Sequence, residues 1–331
     1  MSLTLDNIKS AIKYNEPIDN ILHCVTMISN PCEWNTRYKL TSEFIERMKE
    51  EPNIILYVVE IAYKEQDFKV TEPDNPQHLQ LRVDNIPMWH KENAINAGIE
   101  KLLPKDWKAV AWIDADIYFE DPNWSINALK ILADAEIIQL FSIALDLDKK
   151  ENAMCIYQSF CHQYVSGRRN LGTNGFDYWH PGYAWACTRN FYEKMGGLYE
   201  LSILGTGDYN MARCLVGSGQ KSLHEDVSEG YRYSIKELED KIKGSIIGFV
   251  PCSIRHYYHG TKKNRKYTER WDCIVKSKFN PIKHLEKNKD GILIPNKQFP
   301  PRLKYDIMVY FFDREEDDYE DDSNGEEYEN V

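Results

Sequence analysis

Three nearly unbroken apolar runs organise the first half of this chain: IDNILHCVTMIS at 18–29, IILYVVEIAY at 54–63 and KAVAWID at 108–114. Runs without polar alternation mark strands covered on both faces, the habit of a parallel sheet. Between them the period changes. Asn30-Pro31 breaks the first run, and Thr41, Phe44, Ile45 and Met48 then recur at helical spacing until Glu51-Pro52-Asn53. Residues 64–80 are polar, carry Pro73 and Pro76, and read as a loop. Pro87 is placed to open a second helix through WHKENAINAGIEKLL. Asp121-Pro122 has the pattern of an N-cap followed by proline in the first turn, which predicts a helix over 123–134. EIIQLFSIAL (136–145) reads as a further strand. Strand and helix alternating in this way predict an α/β fold with a mostly parallel central sheet flanked by helices.

The second half is less regular. Residues 164–187 are rich in Gly, Tyr and Trp and carry little periodicity. Helices are predicted over GDYNMARCLVG (207–217) and EGYRYSIKELEDKIKG (229–244), and SIIGFVPCSIRHYYHG (245–260) reads as a strand ending in histidines. No internal repeat and no clean linker interrupts the chain. A single domain over 1–312 is expected, with a first half at about 18–120 and a second at about 121–312.

Charge changes the picture only at the C-terminus. The chain of 331 residues has a formal net charge of −11, but residues 313–331 hold eleven acids and one base, a net −10 that leaves about −1 for the body. A block of like charge this dense is expected to be a disordered, solubilising tail. An apolar content of 42% is ample for a core. No run of 18 apolar residues occurs, so no membrane span is expected. MSLTLDNIKS lacks the basic-then-apolar pattern of a signal peptide, and the eight cysteines form no CxxC pair. A cytoplasmic setting with reduced thiols is expected. No basic groove with interleaved aromatics appears, so nucleic acid is not an expected partner.

Candidate chemistry gathers at three places. Asp114-Ala115-Asp116 closes the third apolar strand, at the end where open α/β sheets bind ligands. Paired carboxylates there suit a divalent cation carrying phosphate oxygens. A second D-x-D, Asp146-Leu147-Asp148, reads as a solvated strand end. Arg255-His256-Tyr257-Tyr258-His259-Gly260 follows another apolar run. In an extended segment the two histidines would point to opposite sides and would not share one metal; one would bind metal and the other phosphate or substrate. Lys262, Lys263, Arg265 and Lys266 follow and suit a diphosphate. Gly205-Thr206-Gly207-Asp208, preceded by Gly196-Gly197-Leu198-Tyr199-Glu200, sets Asp208 at a predicted helix N-terminus. A carboxylate in a cleft can take a proton from a hydroxyl nucleophile.

The order of these pieces resembles the GT-A glycosyltransferases, and most closely the galactosyltransferase and polypeptide N-acetylgalactosaminyltransferase type. The stretch that carries the likeness runs over about 20–272, through the D-x-D, the GGLYE…GTGD block and SIRHYYHGTKKNRKYTERW (253–271). The resemblance implies a Rossmann-like GT-A domain and a metal-dependent hexosyltransferase. Its cofactor would be Mn2+ or Mg2+, and its donor a nucleotide sugar, of the UDP type. The acceptor would be a hydroxyl of a glycan, a protein or a small molecule. It implies Asp116 and His256 as metal ligands, with Asp114 reaching the metal or the ribose. Asp208 is implied as general base of an inverting reaction. Thr26 and Asn30, at the end of the first strand, and Glu60 are implied beside the nucleotide. Lys91, Gly182, Trp185, His259 and Lys263 complete the implied donor set. The family often carries a Glu-Asp pair where this chain has Gly207-Asp208, and its better-known members carry an N-terminal anchor that is not seen here.

Other classes fit less well. Phosphatases with an aspartyl nucleophile carry D-x-D on the first strand, with a small hydroxyl residue after it, whereas Ile117-Tyr118 follows here. A nucleotidyltransferase would want a Gly-rich basic loop where this chain has ISNPCEW. A non-catalytic carbohydrate-binding or scaffold protein on the same fold is the alternative outside the enzymes.

Overall fold

Leu22–Ser29 (β1) and Ile54–Tyr63 (β2), the first two apolar runs, lie side by side in parallel in the computed structural model, which describes residues 4–168, 178–266 and 269–317. The remaining strands are His78–Val83 (β3), Ala109–Ile113 (β4), Ile117–Phe119 (β5), Ile137–Gln139 (β6), Ile143–Leu147 (β7), Ala153–Ser159 (β8), Trp179–His180 (β9), Ala184–Thr188 (β10), Ile247–Phe249 (β11), Ser253–His256 (β12), Leu285–Lys287 (β13) and Leu293–Pro295 (β14). A seven-stranded sheet has the order β11-β6-β10-β4-β1-β2-β3, and only β10 runs against the rest. The expected mostly parallel α/β sheet is therefore present. Helices Asn35–Lys49 and Lys91–Leu102 flank it, and the first of these buries Thr41, Phe44, Ile45 and Met48, the four positions its period selects. Two apolar layers, one on each face, include Val25, Trp112 and Trp185 on one side and Cys24, Ala111 and Ile113 on the other.

A second sheet, β5-β12-β7-β8-β9, stands beyond the carboxyl end of the first. Two segments read as single strands, 136–145 and 245–260, each break and cross into it. β6 and β11 pair in parallel in the first sheet, then β7 and β12 pair in parallel in the second. The crossings are stitched together: Val250 N donates to Gln139 O (2.9 Å) and Ser142 N to Cys252 O (2.8 Å). Pro251 sits at the second break and has no N–H for a ladder. Apolar runs alone do not report such a bend, because both halves are buried.

Two further expectations change. The loop drawn over 64–80 already includes the start of β3, an edge strand whose HLQLRV alternation is a strand signal. The acidic stretch does not leave the body at 313: after helix Pro301–Phe312, Arg314 is 5% and Glu316 2% exposed. Residues 318–331 of the stretch, and 169–177 of the aromatic region, lie outside the described residues. No helix among the described residues is long and apolar enough to cross a membrane.

Candidate metal and substrate site

β4 ends where both sheets meet, and its continuation carries Asp114 and Asp116. Asp114 N donates to Tyr183 O (2.8 Å), and Asp116 O accepts from Tyr257 N (2.8 Å). The chain is thus gripped on both sides, and the two carboxylates face different walls of one cavity of about 1540 Å³. Tyr183 holds a left-handed backbone (φ 77°), a conformation that costs a bulky residue energy and clusters at functional sites.

On the first wall, Lys91 opens helix Lys91–Leu102 and bridges two acids. Its Nζ lies 2.6 Å from Asp114 Oδ1 and 2.9 Å from Asp208 Oδ2. Burial disfavours the ammonium, but Asp114 and Asp208 outweigh it and raise the Lys91 pKa well above its usual value. Burial pushes Asp114 up to about 6, against the pull of Lys91 and with help from Asp116 and Asp208. Asp208 stands in the first turn of helix Gly207–Leu215, aimed by Thr206, a β-branched residue at φ 83°. Gly207 has a steric reason to be glycine, since a Cβ there would overlap the carboxyl of Glu92. Glu92 is 5% exposed, and burial, with Asp208 beside it, pushes its carboxyl up to about 8. Glu92, from the neighbouring helix, thus lies against Gly207 and beside Asp208.

On the second wall, Asp116, His256 and His259 offer donor atoms that all lie within 4.8 Å of one another. The expectation that the two histidines point apart is overturned. β12 ends at His256, and beyond it His259 reaches the same carboxylate as His256 does. His259 Nε2 lies 3.0 Å from Asp116 Oδ2, His256 Nε2 3.8 Å from Asp116 Oδ1, and the two Nε2 atoms are 3.3 Å apart. Burial works against ionisation of Asp116, but the imidazoles outweigh it and hold the carboxyl well below its usual range. Asp116 Oδ1 is nonetheless buried with no hydrogen-bond donor. Arg265 Nη2 donates to His259 Nε2 (2.9 Å), which puts a guanidinium where a cation is wanted.

Behind His256 lies Asp146, read from sequence as a solvated strand end but 1% exposed. It accepts from Tyr183 Oη (2.6 Å), pairs with His256 Nδ1 (3.1 Å) and lies 2.5 Å from Lys262 Nζ. Burial opposes its charge, yet His256 and Lys262 hold it well below the usual carboxylate range. His256 is pushed up to about 9, because Asp146 and Asp116 overcome its burial. Asp148 is the solvated one of that pair, closing a turn through Asn152 N (2.8 Å). The burial pattern of β7, with Asp146 inward, was hidden because an alternating D-x-D reads the same on either face.

Of the other implied residues, Lys91, Gly182, His259 and Lys263 line the cavity. Four do not. Thr26 donates to Ile113 O (2.8 Å) between strands. Asn30 closes a turn with Trp34 (2.8 and 3.0 Å). Glu60 accepts from the backbone of Lys69, Val70 and Thr71 (2.8–3.1 Å) and so pins a loop. Trp185 is fully buried, stacked on Trp112 with ring centroids 6.4 Å apart, and its indole donates to Pro181 O. Met27, Ile28 and Ser29 occupy the cavity edge where Thr26 and Asn30 were expected. Asp114 meets Lys91 and is not among the three clustered donors.

No family model matches the chain, and no curated protein matches it. Solved structures resemble it loosely. A mannosyltransferase from Pyrobaculum calidifontis, in complex with GDP-Man and Mn2+, has a TM-score of 0.40 and 12% identity, over 94% of this chain and 79% of its own. The catalytic domain of a Drosophila beta1,4-galactosyltransferase 7, in complex with xylobiose, has a TM-score of 0.33 and 10% identity, over 61% of this chain and 63% of its own. A 4-diphosphocytidyl-2C-methyl-D-erythritol synthase from Anaerococcus prevotii has a TM-score of 0.33 and 9% identity, over 73% and 89%. The chain spans about three fifths of the galactosyltransferase domain it is similar to. Likeness at this level carries no argument about activity, and the functional reading rests on the site.

Proposed function

We propose that this chain is a metal-dependent glycosyltransferase, moving a sugar with inversion from a nucleoside-diphosphate donor, of the UDP type, to an acceptor hydroxyl. The observation that carries the reading is the Asp116–His256–His259 group, with both histidines buried and Asp116 Oδ1 lacking a donor. Two imidazole nitrogens and one carboxylate oxygen fit Mn2+ or Zn2+ better than Mg2+. Mn2+ held there would neutralise charge developing on a departing diphosphate. Arg265 would swing from His259 to share that role with Lys263, both on the cavity wall.

On the other wall, Asp208 would accept the proton of the attacking hydroxyl. Lys91 orients its carboxylate through the 2.9 Å contact. Asp114, gripped by the same ammonium, borders the space between the walls and would meet the donor's ribose. Glu92, held neutral by burial, can donate a hydrogen bond where an ionised carboxylate could only accept. The carbohydrate-binding alternative has no use for such a pairing of acid and cation sites.

The test is hydrolysis of UDP- and GDP-sugars by the purified protein with and without Mn2+, beside Asp116→Ala. Slow, Mn2+-dependent nucleotide release from one donor, lost in the variant, is expected. If no donor is cleaved and none raises the melting temperature with Mn2+ present, the transferase reading fails and a metal-independent glycan binder replaces it.

A further inference from the structure

We propose that Glu316 is a positioning residue for the metal group, so that the acidic C-terminal segment completes the site rather than merely trailing from it. The inference rests on the metal reading of Asp116, His256 and His259 given above. Each imidazole turns its Nε2 toward Asp116 and its Nδ1 toward a buried carboxylate. For His256 that carboxylate is Asp146, at 3.1 Å. For His259 it is Glu316, at 3.7 Å and within ion-pair range. A carboxylate hydrogen-bonded to the far nitrogen, as Asp146 is to His256, fixes the tautomer and the ring plane, and Glu316 biases His259 the same way as an ion-pair partner.

Glu316 is the one buried acid among the described residues of the tail. Its side chain is 1% exposed, and a carboxylate is buried only when paired. Arg37 holds it through two contacts, one of 2.7 Å, and Arg314 through one of 2.6 Å. The segment is seated from three sides. Asp317 accepts from Asn35 N and Thr36 N, both at 2.7 Å, and caps a helix whose own N-cap residue, Trp34, makes no side-chain bond. Asp313 lies 2.7 Å from Lys266. Gly260, next to His259 and at φ +92°, passes so close that a Cβ would stand 3.2 Å from Glu316 Cα. The chain that carries His259 and the chain that carries Glu316 are therefore packed backbone to backbone.

The test is Mn2+ titration of the full chain by calorimetry, without donor, for wild type, Asp116→Ala, Glu316→Gln, Glu316→Asp and Asp313→Asn. Wild type is expected to bind one ion and Asp116→Ala none. Glu316→Gln should bind about 10–100-fold more weakly. Glu316→Asp keeps the charge that Arg37 and Arg314 require but withdraws it from His259. It should fold as wild type does and still bind more weakly than wild type, by less than Glu316→Gln does. Asp313→Asn loosens the same segment without touching His259 and should bind as wild type. The visible spectrum of the Co2+-loaded protein should change in both Glu316 variants, which a purely structural clasp would not cause. Glu316→Asp and Glu316→Gln binding Mn2+ as wild type does, while Asp116→Ala does not bind, would overturn the role of Glu316 and leave the metal reading standing. A wild type that binds no ion would overturn both.

Discussion

Asp114 and Asp116 are two residues apart, yet they live in opposite surroundings. Asp114 shares one cation, Lys91, with Asp208 and has Glu92 nearby, and the wall is rich in protons: Asp114 is pushed up to about 6 and Glu92 to about 8. Asp116 faces two imidazoles and is held fully ionised. A D-x-D is often read as one device. Here the residue between the acids divides a wall suited to handling protons from a wall suited to holding a cation. The largest effect should come from breaking the first wall alone. Asp208→Asn is expected to lower the turnover number by about 10²–10⁴ with Mn2+ affinity unchanged, measured by donor turnover beside calorimetry. Loss of both together would mean that the walls act as one unit.

Lys91 is the only cation among the described residues within ion-pair reach of Asp114 and Asp208. Its removal leaves the buried Glu92 and the part-buried Asp114 and Asp208 without a cation among them. Lys91→Met should therefore destabilise the protein by about 3–5 kcal/mol, read from urea or thermal unfolding. The second wall should barely respond, because Asp116 draws on His256 and His259 instead. A large loss of Mn2+ affinity in a folded Lys91→Met protein would contradict the division.

The same contrast governs what was legible in the sequence. The sheet half was open to reading because burial on both faces writes continuous apolar runs, and 54–63 matches β2 residue for residue. Helix Asn35–Lys49 announced its buried face through its period. Of the expected site residues, those at a strand or helix end, Asp116, His256 and Asp208, come together on the walls of one cavity. The site was illegible where partners come from afar. Asp146 meets His256 across 110 positions, and Glu316 meets Arg37 across 279. Glu316 also sits in a charge run whose composition argues for solvation, and two distant guanidiniums reverse that. Thr26, Asn30, Glu60 and Trp185, which the resemblance implies beside the donor, lie off the cavity wall: buried polar groups need internal partners first, and these four spend their hydrogen bonds on the frame.

Asp146→Asn sharpens the cation wall. It keeps the shape behind His256 and removes the charge that holds its ring, so Mn2+ affinity should fall by about 10–100-fold while Asp208-dependent chemistry at saturating Mn2+ is largely kept. Calorimetry and turnover on the same sample check both parts. An unchanged affinity would mean that Tyr183 and the packing around His256 suffice to orient it.

The proton wall is also tested by pH. Glu92 has a folded pKa of about 8, against about 4.3 in an unfolded chain. The native state therefore binds this proton more tightly than the unfolded state. The resulting stability is complete below about pH 4 and is lost as pH rises through about 8. Glu92→Gln removes the titration and keeps the volume beside Gly207. The variant should match wild type near pH 4 and exceed it progressively as pH rises through 8, by up to ~1.4 kcal/mol for each unit by which the folded value is raised. Unfolding curves at both ends of that range decide the matter. A gap that stays constant with pH would mean that Glu92 is already ionised at pH 4, and that Lys91 serves three carboxylates rather than two.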